Sequence, residues 1–287
     1  MSAFISGVVA LLAGIVSLFL GRSLPSVAKK GRITQPEARG LASVAGVVAG
    51  LLVGVGFGSY SAVDIQQLPL LIAMVTLILV VVLDLVGTHY LSLRSQTVPA
   101  LFLLAGLVPA IAKASGVGTG SIAASGAAIA AGFILVPIGI SASAYVVNQF
   151  KGYGDLGMAT VAIGALCGVA LLKEEFEALL VLLAGLGAIL PLLIYIGRQP
   201  AKMGIGDVGT FSIGALIAIA VVLGGFELAG VIVLIPYLVN LGLKARGRSL
   251  GQLIMKRFGL NERTLALTFI GFEAVCGVLA VVLYVVR

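Results

Sequence analysis

PAKMGIGDVGTFSIGALIA, residues 200–218, places a Gly-Ile-Gly-Asp at the mouth of an apolar run long enough to be a helix. Asp207 is the residue that needs a reason. A carboxylate beside a segment of this kind is expensive at membrane depth and inexpensive at a wetted helix end. The fold therefore turns on whether the run lies in lipid, and the function on which side Asp207 faces.

The rest of the chain answers the first question. Of 287 residues, 60% are hydrophobic and 10% charged, against roughly 25% charged in a soluble domain. Too little polar surface exists to cover a water-soluble globule, so the solvent is mostly a lipid bilayer. Ten apolar runs recur, at about 3–20, 40–59, 68–87, 98–113, 121–140 (continuing toward 149), 156–172, 178–197, 208–224, 228–243 and 266–286. The first has no basic residue ahead of it and no clear cleavage site, so it reads as a retained helix. The expected fold is all-α: a polytopic bundle of about ten transmembrane helices, forming one integral domain over 1–287.

Charge orients the bundle. Fifteen of the 18 Lys and Arg lie in alternate loops, 21–39, 88–97, 150–155, 198–207 and 244–265. Lys113, Lys173 and Arg287 fall on the other side, with Asp64, Glu174, Glu175, Glu177 and Glu227. Positive residues stay in the cytoplasm, so both termini are expected outside and the basic loops inside. The net charge of +7 is then explained by topology and by anionic substrates, and no nucleic-acid partner is expected. Cys167 and Cys276 each sit in an apolar run and read as packing residues; one histidine, His89, excludes a multi-histidine metal site. Gly46, Gly50, Gly54 and Gly58 line one helix face four apart, a spacing for close helix packing inside the bundle or, alternatively, across a dimer.

Asp84, Asp155 and Asp207 all fall at the cytoplasmic side, as do Asn148, Lys151, Lys202, Arg94 and His89. Singly these are wetted helix ends. Together, among glycine-rich loops that let backbone approach a ligand, they point to a cleft at the cytoplasmic face.

Two membrane chemistries use such an aspartate. An intramembrane aspartyl protease keeps one in Gly-x-Gly-Asp, but here a second copy, GYGD at 152–155, offers the same half-site twice. Asp84 and Pro99 stand 15 apart, and Pro-Ala-Leu occurs at 99–101, ahead of the Gly-Asp. The protease fits poorly. PAKMGIGDVGTFSIGA instead resembles the Pro-Ala-Lys-…-Gly-Asp-x-Gly-Thr/Ser-x-x-x-Gly-Ala segment of the polyprenyl-phosphate N-acetylhexosamine-1-phosphate transferases. Four more stretches resemble that family in order: QPEARGLASVAGVVAG at 35–50, YLSLRSQTVPALFLLAGLVP at 90–109, NQFKGYGDLGMATVAIGA at 148–165 and LIPYLVNLGLKARGRS at 234–249. The resemblance covers roughly 35–250 and implies a ten-helix bundle with both termini outside, the arrangement that charge indicates independently.

The resemblance implies transfer of a sugar-1-phosphate, GlcNAc-1-phosphate first among candidates, from a UDP-sugar to polyprenyl or dolichyl phosphate. It implies Mg²⁺ on Asp207, with Asp84, Asp155 and Asp207 as the catalytic carboxylates. Asn148, Lys151, Lys202, Arg94 and Gly206 would contact substrate. The family's double aspartate near the end of the third helix is missing. Counting back from Arg94 puts Thr88 and His89 there; a short insertion lets Asp84 stand for one of the pair, with Leu83 for the other. Gly154 and Asp155 occupy the positions of the family's Asp/Asn and Gly, and the histidine-rich last loop of the bacterial translocase is absent. A relative that binds lipid phosphate or nucleotide sugar without turnover, alone or as partner of an intact homologue, is the alternative.

Overall fold

The computed structural model describes residues 2–28, 34–60, 66–93, 97–114, 126–150, 155–197, 205–247 and 249–286. No strand occurs among them. Ten helices fall on the ten apolar runs: α1 (Ser2–Ala28), α2 (Gln35–Tyr60), α3 (Gln67–Leu85), α4 (Phe102–Ala114), α5 (Gly126–Asn148), α6 (Asp155–Leu172), α7 (Phe176–Gly197), α8 (Gly206–Gly224), α9 (Glu227–Ala245) and α11 (Glu262–Val285). An eleventh, α10 (Leu250–Phe258), lies inside the basic stretch between the last two. Among the described residues, seven helices are long and apolar enough to cross a membrane; Val98–Ala112, Gly132–Asn148 and Leu156–Leu172 are shorter apolar helices. The chain is an all-α, multi-pass membrane protein.

α8 is the axis of the bundle. Sixteen of its 19 residues are buried, as expected of a helix that is apolar on every side. α5, α2, α3 and α7 pack around it. Small residues permit this closeness where lipid supplies no hydrophobic drive between helices. A Cβ on Gly214 would stand 2.5 Å from the Ser143 carbonyl oxygen of α5. The Ser143 hydroxyl donates back to the Gly214 carbonyl at 2.7 Å, fastening the same crossing. The glycine stripe of α2 is consumed internally. Gly46 abuts Ala13 and Ser17 of α1, Gly50 abuts Val9 and Ala13, and Gly54 abuts Leu70, Val9 and Leu180. Three glycines of the stripe, Gly46, Gly50 and Gly54, therefore pack inside the bundle.

The bundle has two distinct faces. On one, the Lys173 ammonium at the end of α6 donates to the carbonyls of Gly224 (3.2 Å) and Gly225 (2.9 Å) at the end of α8. Beside it the Gln66 amide donates to Glu177 at 2.9 Å. On the other face meet the starts of α2, α6, α8 and α11 and the ends of α3, α5 and α9. Asp84, Asn148, Asp155 and Asp207 belong to helix ends on this second face.

Two local departures were not foreseen. Past Leu85 the third helix widens into a π-helical turn, Val86–Tyr90, where the Leu91 amide reaches back to the Val86 carbonyl at 2.9 Å. Ser92 follows with φ +51°. The last basic stretch holds α10, capped by the Ser249 hydroxyl, which accepts from the Gln252 amide at 3.2 Å.

Candidate functional site

The site is built on the first turn of α8. Gly206 opens the helix at φ +66°, a left-handed conformation that side chains disfavour. A Cβ there would also meet the Glu37 amide at 2.8 Å and Pro36 at 2.9 Å. One turn of α2 further on, a Cβ on Gly40 would lie 2.5 Å from the Gly209 nitrogen and 2.5 Å from the Ile205 oxygen. The start of α2 therefore rests directly on the Gly206–Asp207 turn. This is why Pro36 through Gly40 and the Gly-Asp segment, 170 residues apart in sequence, act as one structural unit.

An apolar knot fixes the third partner. Val44 of α2, Val81 of α3 and Val208 of α8 form a buried cluster flanked by Leu41, Val48 and Leu85. Val208 follows Asp207, and Val81 precedes Asp84 by less than one turn, so the knot holds the two carboxylate-bearing helix ends together. The carboxylates differ in access. Asp207 is half-buried, in the first turn of α8. Asp84 is 1% exposed, enclosed in the last turn of α3, with the Thr88 hydroxyl donating to its backbone carbonyl at 2.7 Å. His89, in the π-helical turn, is half-buried, and its Nε2 is enclosed with no hydrogen-bond partner among the described residues.

From the other side α5 supplies Asn148. Its Oδ1 accepts from the Thr210 hydroxyl at 2.5 Å, and the Gly206 and Asp207 carbonyls lie 3.1 Å from the same hydroxyl. At 1% exposure Asn148 is buried beneath the first turn of α8, which it braces through Thr210. Thr210 is a member of the site that sequence reasoning did not single out; the signal was its spacing, one helical turn after Gly206. Next to it, Asn240 of α9 donates to the Gln149 carbonyl at 3.2 Å and accepts from the Leu250 amide at 3.1 Å. The Lys244 ammonium also donates to the Gln149 carbonyl. These bonds tie α5, α9 and α10 to the same face.

Asp155 is the first residue of α6, whose start lies on this face. Arg94, Lys151 and Lys202 lie outside the described residues. Two buried charged residues were not weighed from the sequence: Arg39 at the start of α2, 3% exposed, and Glu273 within α11, 0% exposed. Neither Glu273 carboxylate oxygen has a hydrogen-bond partner among the described residues.

The start of α8 suits an anion. The residue preceding it, Ile205, contributes no side-chain cap, and helix starts present backbone N–H groups and a positive dipole end. For a cation, no group of three or more His, Cys, Asp or Glu is placed to hold a metal among the described residues. Asp207 supplies one accessible carboxylate. That donor set fits Mg²⁺, which takes one or two protein carboxylates and completes its shell with substrate phosphates and water.

No protein-family model matches the chain. Among known proteins, it is 29% identical over 176 residues to a Saccharolobus solfataricus protein provisionally named UDP-N-acetylglucosamine–dolichyl-phosphate N-acetylglucosaminephosphotransferase, covering 52% of this chain and 54% of that one. It is 30% identical over 113 residues to a Methanocaldococcus jannaschii protein provisionally named a glycosyltransferase, covering 39% of this chain and 37% of that one. Over 103 residues it is 33% identical to the phospho-N-acetylmuramoyl-pentapeptide-transferase of Bacillus thuringiensis, covering 35% and 32%. The chain thus spans about half or less of the length of the relatives it matches. Their names support the family that the Asp207 segment resembles, the polyprenyl-phosphate N-acetylhexosamine-1-phosphate transferases.

Proposed function

We propose that this chain, read as one integral unit over 1–287, transfers a sugar-1-phosphate from a UDP-sugar to polyprenyl or dolichyl phosphate, beginning a lipid-linked glycan. The observation that carries the reading is the convergence of α2, α3 and α5 on the first turn of α8, where Asp207 sits half-buried on a helix start without a side-chain cap. The skew of basic residues supports reading this face as cytoplasmic in a cell-membrane protein, with nucleotide sugar arriving from water and lipid phosphate from the bilayer.

Transfer joins two anions, so positioning and charge neutralisation dominate. An oxygen of the lipid phosphate attacks the sugar-bearing phosphorus of the UDP-sugar. A new P–O bond forms, the P–O bond to the uridine phosphate breaks, and UMP leaves with that electron pair. Gly206 and the N–H groups of the first turn of α8 would meet the diphosphate through backbone. Lys151, Lys202 and Arg94 would bind phosphate oxygens. Asp207 would hold Mg²⁺, which supplies charge neutralisation at the diphosphate. Asn148, braced by Thr210, holds the turn in place. Asp84 and Asp155 would be the further catalytic carboxylates, and the lipid phosphate, largely ionised near neutrality, reacts without a strong base.

The second reading is a non-catalytic relative that binds these ligands beside an intact homologue. One experiment separates them. Purified protein in liposomes with dolichyl phosphate and UDP-GlcNAc should release UMP in a Mg²⁺-dependent manner; nucleotide-sugar binding with no UMP would leave the second reading.

A further inference from the structure

α5, α8 and α9 enclose an apolar hollow of about 540 Å³, within the roughly 300–1,000 Å³ of small-molecule sites. Leu135 and Gly139 of α5, Ile217 and Val221 of α8, and Val231 and Leu234 of α9 line it. At the site face α5 and α9 are bound together, since Asn240 and Lys244 both donate to the Gln149 carbonyl. Deeper in, the close crossing of Gly214 on Ser143 seals α5 against α8. A Cβ on Gly230 would stand 2.8 Å from Val221, so α9 also lies close on α8. The hollow is thus closed toward the site. It opens sideways, where Leu135 and Val231 are exposed, and toward the opposite face, where Glu227 stands at its rim.

An open apolar hollow inside a bilayer does not stay empty, because every group around it would forfeit its contacts. Water would find few partners there. The Ser143 hydroxyl is already given to the Gly214 carbonyl, and Glu227 is the one ionisable side chain on the lining among the described residues. A hydrocarbon chain is the filling that a bilayer supplies. From Gly132 to Ser143, both on the lining, α5 advances eleven residues, about 16 Å at the helical rise. That matches the hydrocarbon of one leaflet, about 15 Å. A Cβ on Gly139 would meet nothing within 4 Å, so a chain has room beside it.

The plainer reading makes Glu227 an acid welcomed by the first turn of α9 and the hollow a crevice for any lipid. That role is met on any side of the helix and does not call for the acid to border the hollow. A carboxylate at this rim repels an anionic headgroup and attracts an ammonium. The polyprenyl-type substrate fits less well. Its phosphate is assigned above to the Asp207 end, ten residues along α8 from Ile217, about 15 Å, and on the far side of the sealed Gly214 crossing.

We propose that the hollow between α5, α8 and α9 binds one chain of a bilayer lipid from the leaflet opposite the site, with the Glu227 carboxylate pairing with the lipid's ammonium headgroup. The bound chain completes the packing of α8 on the side that the protein leaves open. The site does not depend on the transfer reaction proposed above.

Native mass spectrometry of the full chain, released from detergent micelles, reads retained lipid directly. Dioleoylphosphatidylethanolamine, dioleoylphosphatidylglycerol and dolichyl phosphate are titrated in turn into the wild type, Glu227→Gln and Gly139→Leu. The wild type should retain one phosphatidylethanolamine, at least fivefold more tightly than phosphatidylglycerol. Glu227→Gln should weaken that binding at least fivefold and abolish the preference. Gly139→Leu fills the hollow and should weaken phosphatidylethanolamine by at least the same factor. Both positions border open space, so the melting temperature is expected to hold; should one variant not fold, the other carries the test. Equal retention of the two phospholipids, retention of neither, or a change below fivefold in either folded variant overturns the proposal. So does loss of dolichyl phosphate alone in Gly139→Leu, which would give the hollow to the substrate chain.

Discussion

α8 begins at one left-handed glycine, Gly206, and ends at another, Gly225, yet the two ends are finished in different ways. At the Gly225 end the orphan carbonyls of the last turn are met inside the protein. Lys173 donates to two of them, and the Gly225 and Phe226 amides both fold back to Val221. At the Gly206 end the packing is equally tight, with α2 backbone resting on the turn, but Ile205 supplies no side-chain cap and Asp207 reaches the face half-exposed. A tightly packed helix start without a side-chain cap, beside a carboxylate, is suited to hold a phosphate and a cation. The contrast separates an end closed by internal bonds from the end at which the proposed chemistry would sit.

The contrast can be broken most forcefully at Asp207. Asp207→Asn should reduce UMP release about a hundredfold or more, since metal-based charge neutralisation amounts to several kcal/mol. The loss should appear in kcat and in kcat/KM alike, with KM changing little; a loss below tenfold would remove Asp207 from the centre of the site. Next comes the platform under it. Gly40→Val forces side-chain atoms into the Gly209 and Ile205 backbone, where even a Cβ has only 2.5 Å. Overpacking of this kind costs about 1–3 kcal/mol. A lowered melting temperature in detergent and strongly reduced transfer are expected together, and an unperturbed variant would contradict the close approach of α2 and α8.

Thr210→Val probes the strut. It removes the donor to Asn148 and leaves a buried acceptor without that partner, at about 1–3 kcal/mol. Transfer should fall more than stability, because the strut holds the turn that carries Asp207. The smallest effect belongs to the closed end. Lys173→Met should lower the melting temperature by an amount equivalent to about 1–2 kcal/mol, while UMP release per folded molecule stays at the wild-type rate. Lost turnover there would mean that the two ends are coupled.

Much of the frame was legible in the sequence because the apolar runs are long and separated by basic loops, so each helix announces itself by length. Pro36–Gly40 and the Gly-Asp segment were quoted from sequence as separate motifs; what sequence could not convey is that they touch, because helix contacts depend on packing across 170 residues. The access of the carboxylates was equally hidden. Asp84 and Asp207 look alike in sequence, and only the Val44–Val81–Val208 knot and the π-helical turn after Leu85 leave one enclosed and the other open. α10 gave no signal because nine residues among basic loops are too short for a membrane span, although Leu250 and Ile254 stand one helical turn apart. Glu273 was in plain view as an acid inside the last apolar run, where such a residue is costly, and the structure places it in the core, away from the site face.

Hydrogen exchange across α8 tests the contrast between its ends most directly. In nanodiscs, UDP-GlcNAc with Mg²⁺ should slow amide exchange over residues 205–210 and leave 221–227 unchanged. Unaltered exchange over 205–210, or equal slowing at both ends, would contradict the assignment of the Asp207 turn as the ligand-binding end.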